Sequence, residues 1–127
     1  MTAQPALTRV RDICLALPHG AERLSHGSPG FFIDIGKNGG KFFAYFWHNV
    51  HGRAVTAVIL KTSGFEEQGM LVEMDPDRYF VPPYLGPSGW LGMRIDSAEP
   101  DWDRVADRIS ASWAMVAPRR LLSGRRV

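Results

Sequence analysis

The stretch that decides how this chain can fold is Tyr79-Phe80-Val81-Pro82-Pro83-Tyr84-Leu85-Gly86-Pro87-Ser88-Gly89-Trp90. It places four aromatic residues, three prolines and two glycines in twelve positions. A proline lacks an N–H and fixes φ, so the stretch cannot form a regular helix, and each residue before a proline is pushed towards extended geometry. The glycines suit the positive φ of tight turns. We therefore predict a shaped loop, acting first as a clasp that fixes the strand beginning at Trp90, with a binding surface as the alternative.

The size and composition of the chain predict one globular domain over residues 1–127. The chain has 127 residues, of which 45% are hydrophobic, as is usual for a protein with a buried core. It has no apolar run long enough to span a membrane, and its first residues lack the pattern of a secretory signal. The single cysteine, Cys14, cannot form an internal disulfide. We therefore expect a cytoplasmic protein without a membrane contact.

The net charge of +2 is unevenly distributed along the chain. Residues 1–60 contain six bases and three acids, residues 61–107 contain four bases and ten acids, and residues 108–127 contain five arginines and no acid. This asymmetry is compatible with a basic face beside an acidic one. Ordinary solvated surface charge explains it equally well.

The first half of the chain predicts a helix followed by strands. Apolar residues at helical spacing predict a helix over residues 5–17, with Cys14 on its buried face. Residues 21–27 are predicted to form a short strand or extended entry. Strands are predicted at 31–35, 41–48 and 54–61, joined by a turn at 36–40 and a loop at 49–53. Consecutive strands with short connections form an antiparallel meander.

The second half predicts two helices around one strand. Ser63-Gly64-Phe65-Glu66 resembles a capping box for a short helix that ends near Met74. That helix is expected to bury Phe65, Met70, Leu71 and Met74. Residues 90–95 alternate as a half-buried strand, and an apolar stripe predicts a long helix from Pro100 to Pro118. The order of helices and strands predicts an α+β two-layer sandwich, with a mainly antiparallel sheet of about five strands and an N-terminal and a C-terminal helix packed on one face. A basic tail is predicted at 119–127.

Segments along nearly the whole chain resemble the MmcQ/YjbR family of small bacterial proteins. They occur in the family's order at residues 14–18, 22, 41–44, 61, 83–86, 89–90, 101–102 and 112–118. Trp113 departs from the tyrosine more usual in the family, and the turn at 36–40 is longer than a minimal hairpin. The resemblance implies a fold like that of the frataxin/CyaY group or the secretion-chaperone group. It also implies DNA binding through a double-wing motif, and no catalytic residues.

A sheet covered by helices on one face leaves the other face for binding. Strand periodicity groups Lys41, Phe43, Tyr45 and Trp47 on one side of the strand 41–48 and Phe42 on the other. Cations that hold phosphates and rings that stack on bases would together suit nucleic acid. The alternative is that a further helix, the tail or a dimer partner covers these rings. The predicted nucleic-acid-binding residues are Lys41, Tyr45, Trp47, Lys61, Tyr84, Trp90, Arg94, Arg119 and Arg120.

Metal and catalytic chemistry are weakly indicated. His48 and His51 have the spacing of a metal pair, but a structural zinc site needs four grouped ligands, so we predict no metal and no cofactor. Glu22 and His26 could form an acid–base pair, although a carboxylate that binds backbone N–H groups is the simpler interpretation. No phosphate-binding loop, nucleophile motif or dinucleotide fingerprint occurs.

These observations predict a non-enzymatic DNA-binding protein that uses a basic and aromatic surface. The alternative is an adaptor that binds a protein or peptide through the same aromatic surface. Neither function requires a small-molecule cofactor.

Overall fold

An antiparallel sheet of six strands forms one layer of the protein, in the order β1-β2-β3-β4-β6-β5. The computed structural model describes residues 4–36, 40–52 and 54–123. The helices are α1 (Gln4–Ala16), α2 (Phe65–Met74), α3 (Trp102–Val116) and α4 (Arg119–Ser123). The strands are β1 (Gly20–Ser25), β2 (Ser28–Ile33), β3 (Phe42–His48), β4 (Thr56–Leu60), β5 (Tyr79–Phe80) and β6 (Leu91–Arg94), with a 3₁₀ turn at Gly86–Ser88.

The predicted α+β class with a mainly antiparallel sheet is confirmed, with six strands in place of about five. The strand or extended entry predicted at residues 21–27 belongs to a hairpin of residues 20–33, in which Ser25 pairs with Ser28. Its two turn residues, His26 and Gly27, have φ values of 53° and 82°, as a turn matched to strand twist requires. Within the predicted turn at 36–40, residues 37–39 lie outside the described residues, as do residues 124–127 of the predicted tail.

Helices α1 and α3 cover one face of the sheet, as predicted. Val10 and Cys14 of α1 and Ile109 and Trp113 of α3 are buried there, and the Trp113 Nε1–H donates to the Pro18 carbonyl at 3.0 Å. We call the opposite face of the sheet the outer face. The alternation predicted for residues 90–95 is confirmed, because Leu91, Met93 and Ile95 join the helix-side core while Trp90 joins the cluster on the outer face.

A β-bulge reverses part of the predicted pattern in β3. The register between β2 and β3 shifts so that Phe31 pairs with Ala44 but Phe32 pairs with Phe42. Phe43 is therefore buried in the helix-side core, whereas Phe42 packs with the outer-face cluster. The prediction that Phe43 shares a side with Tyr45 is wrong, because one extra residue in a strand changes the face of everything before it.

Ser112 of α3 satisfies the backbone groups at this bulge. Its side chain is fully buried. The hydroxyl donates to the Phe43 carbonyl at 2.5 Å and accepts from the Lys61 N–H at 2.9 Å. A single helix side chain thus joins α3 to two neighbouring strands.

The helix α2 departs from its predicted packing. Leu71 is buried, but Phe65, Met70 and Met74 are 64%, 56% and 66% exposed, so their predicted burial is wrong. The predicted capping box is also corrected: the cap residue is Gly64, and the carboxylate that accepts from the Ser63 N–H, at 2.7 Å, belongs to Glu67 rather than Glu66. The buried stripe of this ten-residue helix is formed by Gln68 and Leu71.

The loop at residues 81–90 is fixed by buried polar side chains. The Gln68 side-chain amide donates to the carbonyls of Gly86 and Trp90 at 3.0 and 2.6 Å. The Thr62 hydroxyl donates to the Gly89 carbonyl at 2.7 Å. Buried backbone groups need such partners, so α2 and the end of β4 hold this loop in place. The clasp predicted from the sequence is therefore present.

Within the described residues, no helix is both long enough and apolar enough to cross a membrane.

Replacing Ser112 by alanine tests the junction at the bulge. The change leaves the Phe43 carbonyl and the Lys61 N–H without their partner in a fully buried place, which costs about 1–3 kcal/mol for each group left unsatisfied. We expect urea unfolding to report a loss of this size. The same change at half-buried Ser110 of the same helix is the control, with an expected effect within about 0.5 kcal/mol. Equal effects at the two positions would contradict the role given to Ser112.

Glu67 is expected to make stability depend on pH. The hydrogen bond from the Ser63 N–H, helped by Arg108 at 3.5 Å, lowers the pKa of Glu67. The stabilisation is therefore complete above the ordinary glutamate pKa and is lost as pH falls through the lower folded-state pKa. Glu67→Gln should lower Tm at neutral pH, by about 3–5 °C for each kcal/mol lost, and should flatten the decline of Tm in acid. The exposed Glu66→Gln variant is the control, and parallel Tm curves for wild type and Glu67→Gln would refute the assignment.

Candidate nucleic-acid interface

The outer face carries its own aromatic cluster, partly covered by the loop 81–90. Its buried members are Trp47, Val55, Ala57, Ile59, Phe80 and Trp90. Four half-buried residues pack against them: Phe42, Tyr45, Val50 and Leu85. Trp47 and Trp90 are only 5% and 8% exposed. These two indoles therefore support the surface, and the half-buried rings and the loop residues form it.

A continuous series of ring and cation contacts crosses this face, and we call it the aromatic strip. Its members are Arg23, Phe32, Phe42, Tyr45, Trp90 and Lys61. The Arg23 guanidinium lies 4.7 Å from the Phe32 ring and 5.0 Å from the Phe42 ring. Phe42 stacks on Tyr45 at 5.1 Å, and Tyr45 contacts Trp90 at 5.4 Å. The Lys61 ammonium lies 5.6 Å from the Trp90 ring. A cation therefore stands at each end of the strip.

Glycine at position 30 makes the centre of the strip possible. A Cβ atom at Gly30 would lie 2.6 Å from a ring atom of Phe42 and 3.2 Å from one of Tyr45. Both rings therefore lie directly on the β2 backbone. The two rings also stack on each other, and Arg23 and Trp90 contact them from either side, so only the parts of the rings that these contacts leave exposed are available to a ligand.

The structure brings together five of the nine predicted site residues. Tyr45, Trp90 and Lys61 belong to the aromatic strip. Trp47 and Tyr84 lie on the same face and are linked through His51, whose ring is 4.5 Å from Trp47 and 4.9 Å from Tyr84.

The other four predicted residues lie apart. Arg94 pairs in register with Ala57, which in turn pairs with Trp47, so Arg94 is at the margin of the outer face, 3.9 Å from the Asp96 carboxylate. Lys41 is exposed just before β3. Arg119 and Arg120 are exposed on α4, whose Leu121 packs against the helix-side core. These two arginines therefore belong to the helix layer and do not join the outer face.

Four residues of this surface were not predicted from the sequence: Arg23, Phe32, Phe42 and His51. Arg23 could have been found from the alternation of β1, since Arg23 and Ser25 share a side, but the pairing partner of β1 had no sequence signal. Phe42 was assigned to the wrong face because the bulge follows it. His51 was considered only as a metal ligand.

A pocket of about 410 Å³ opens on the outer face beside the strip. Residues from two turns, three strands and the loop 81–90 line it: Ser25, His26, Ser28, Tyr45, Trp47, His51, Tyr84 and Leu85. Burial raises the pKa of Tyr45, while the charge of Arg23 and a hydrogen bond with Ser25 partly oppose this shift. The Tyr45 hydroxyl is therefore neutral near pH 7 and lies beside Ser25 at the pocket wall.

The histidine and carboxylate pairs considered from the sequence do not assemble. The His48 Nδ1 lies 2.7 Å from the Thr56 hydroxyl, whereas His51 packs on Trp47 and Tyr84. Glu22 forms a two-point ion pair with Arg11, at 2.6 and 2.9 Å, in place of the expected backbone N–H groups. In the part of the chain that the structure describes, no three histidine, cysteine or acidic side chains are grouped to hold a metal ion.

Comparison with known proteins agrees with the fold. The crystal structure of the Deinococcus radiodurans protein DR2400, with a DUF419 domain, superposes with a TM-score of 0.71 at 16% sequence identity, covering 90% of this chain and 80% of that chain. No curated protein sequence matches significantly. The family model for YjbR matches residues 15–115. The resemblance noted in the sequence is thus confirmed, and the chain belongs to the YjbR family.

Proposed function

We propose that this protein binds single-stranded DNA without catalysing a reaction, through the aromatic strip and its two terminal cations. The observation that carries the proposal is the continuous contact from Arg23 through Tyr45 and Trp90 to Lys61. Surfaces that bind single strands without sequence preference combine a cationic track for the backbone with rings on which bases stack. The strip combines both elements on one face.

Unpaired bases suit this surface better than a duplex does. The rings of Phe42 and Tyr45 lie against the β2 backbone at Gly30, and they offer contacts within the sheet face rather than a projecting element. A duplex is read by an element that enters a groove, whereas stacking requires bases that are already unpaired. We therefore expect tighter binding to a single strand than to a duplex of the same length.

The non-enzymatic part of the proposal rests on how the reactive side chains are used. Cys14 is buried, and burial raises the pKa of its thiol far above the range in which a nucleophilic thiolate forms. Glu22 is engaged by Arg11. The expected likeness to the frataxin/CyaY group and the double-wing motif stay predictions.

A protein or peptide partner is the second candidate, favoured by α2. The exposed Phe65, Met70 and Met74 place large apolar surface on a short helix, where flexible methionines suit adaptable protein contacts. Such a contact would depend little on salt. A peptide selected for binding by display should lose affinity with Met70→Ser and keep it with Arg23→Ala if this function is correct.

The leading proposal is tested by removing both terminal cations. Single-stranded DNA labelled with fluorescein is titrated by anisotropy at about 50 and about 200 mM salt, where phosphate contacts give a strong salt dependence. We expect the Arg23→Ala, Lys61→Ala variant to bind more weakly and to reduce the slope of log affinity against log salt by about 1.4, or about 0.7 for each lost contact.

The matched control is the Arg119→Ala, Arg120→Ala variant, which removes the same charge from the helix layer. It should bind nearly as well as the wild type, with folding of both variants checked by circular dichroism. Equal losses in the two variants would reduce the effect to net charge, and no wild-type binding at about 50 mM salt would overturn the proposal.

A further inference from the structure

Backbone with positive φ at residues other than glycine converges on the outer-face pocket. Five non-glycine residues of the described chain have positive φ: His19, His26, Asn49, His51 and Tyr84. Three of the five, His26, His51 and Tyr84, line this one pocket, and they come from three separate connections. Positive φ is uncommon outside glycine, and such conformations gather at ligand sites, where surrounding structure maintains them.

Tyr84 is the most informative of these residues. Its φ is 69°, and the Leu85 N–H donates to the Pro83 carbonyl at 2.7 Å. This pattern is a γ-turn of the positive-φ kind, which is rare and strained. The Tyr84 side chain nevertheless remains 76% exposed. Burial therefore does not offset the strain, and the turn serves to hold a large ring over the mouth of the pocket.

The pocket has aromatic walls and a polar end. Tyr45 and Trp47 rise from β3, while His51 and Tyr84 face the same space from the two loops. At the other end lie Ser25, His26 and Ser28, with the Ser25 hydroxyl 3.3 Å from the His26 ring. Aromatic walls suit a planar ring, hydroxyl and imidazole groups suit a polar ring edge, and the volume is within the range of about 300–1,000 Å³ usual for small-molecule sites.

A cation stands next to the polar end. Arg23 precedes Ser25 by two residues on the same strand and therefore shares its side of the sheet. Its guanidinium is held over the Phe32 and Phe42 rings and acts electrostatically on the Tyr45 hydroxyl. An arginine fixed in this way binds phosphate oxygens well.

We propose that this pocket binds one nucleotide, with the base between the aromatic walls and the phosphate at Arg23. The inference rests on the proposed function in one respect, because the nucleotide can be an unpaired unit of the bound strand. The same chemistry would also accept a free nucleoside monophosphate, so the test has an arm for each source.

The test uses Tyr84→Gly, with Tyr84→Phe as its matched control. Glycine removes the ring and relieves the positive φ, so Tm should stay unchanged or rise while binding weakens. Phenylalanine keeps the ring and should keep the affinity. The protein is titrated with 5′-AMP, 5′-CMP and ribose 5-phosphate, and binding is followed by the fluorescence of Trp47 at the pocket wall. Binding of a short oligothymidine and of an abasic strand of equal charge is measured by anisotropy.

A pocket for a free nucleotide is supported if the wild type binds 5′-AMP or 5′-CMP but not ribose 5-phosphate, and if that affinity falls about tenfold in Tyr84→Gly. One stacked base contributes roughly that much. A preference for oligothymidine over the abasic strand that disappears in Tyr84→Gly supports it with a strand. If oligothymidine binds equally to wild type and Tyr84→Gly, and no monophosphate binds, the pocket assignment is overturned while the proposed function survives. If monophosphates bind but no strand does, the proposed function is overturned while the pocket assignment survives. If neither monophosphates nor strands bind, both the pocket assignment and the proposed function are overturned.

Discussion

The bulge in β3 is the constraint on which the aromatic strip depends. It turns Phe43 into the helix-side core and Phe42 onto the outer face, so that Phe42 can stack on Tyr45 and support the Arg23 guanidinium. A bulge leaves backbone groups outside the regular ladder, and Ser112 supplies the missing partner from α3. The packing of α3 on one face is thus coupled to the arrangement of rings on the other.

The outer face is covered by a loop where a second layer of helices could have been expected. Trp90 and Leu85 bury part of the sheet, and the loop that carries them is held by Gln68 and Thr62. A loop covers less surface than a helix, so half-buried rings and a pocket remain beside it. The rigid anchoring also explains how Tyr84 can be kept at positive φ, since a strained residue persists only where its neighbours over-determine it.

The sequence predicted the parts of the fold that have a regular period. The apolar stripe of α3 and the alternation of Trp90 to Arg94 were sufficient, because each follows from the geometry of a single element. The bulge could not be predicted, since Phe42-Phe43-Ala44 is apolar throughout and contains no change of pattern at the shift. The candidate site was predicted in part. Tyr45, Lys61 and Trp90 were identified from the pattern of single strands, whereas the place of Arg23 in the site depends on the order of the strands in the sheet. The buried side of α2 was predicted wrongly, because its apolar residues were assumed to be buried.

Charge is divided between the two sides of the sheet near β6. A hollow of about 240 Å³ lies on the helix side, because its lining includes Met93 and Val105. Five carboxylates gather around it: Asp75, Asp77, Asp96, Glu99 and Asp101. Arg94, at the margin of the outer face, also borders the hollow and lies 3.9 Å from the Asp96 carboxylate, and Arg78 pairs with Asp75 at 3.0 Å. The carboxylates outnumber these arginines, and their repulsion extends over about 10 Å at 0.1 M salt, so it disfavours a phosphodiester beside the Arg94 end of β6 and much less over β1. Under the proposed function, a bound strand therefore follows the aromatic strip, whose Lys61 lies at the end of the β4–β6 pairing opposite Arg94.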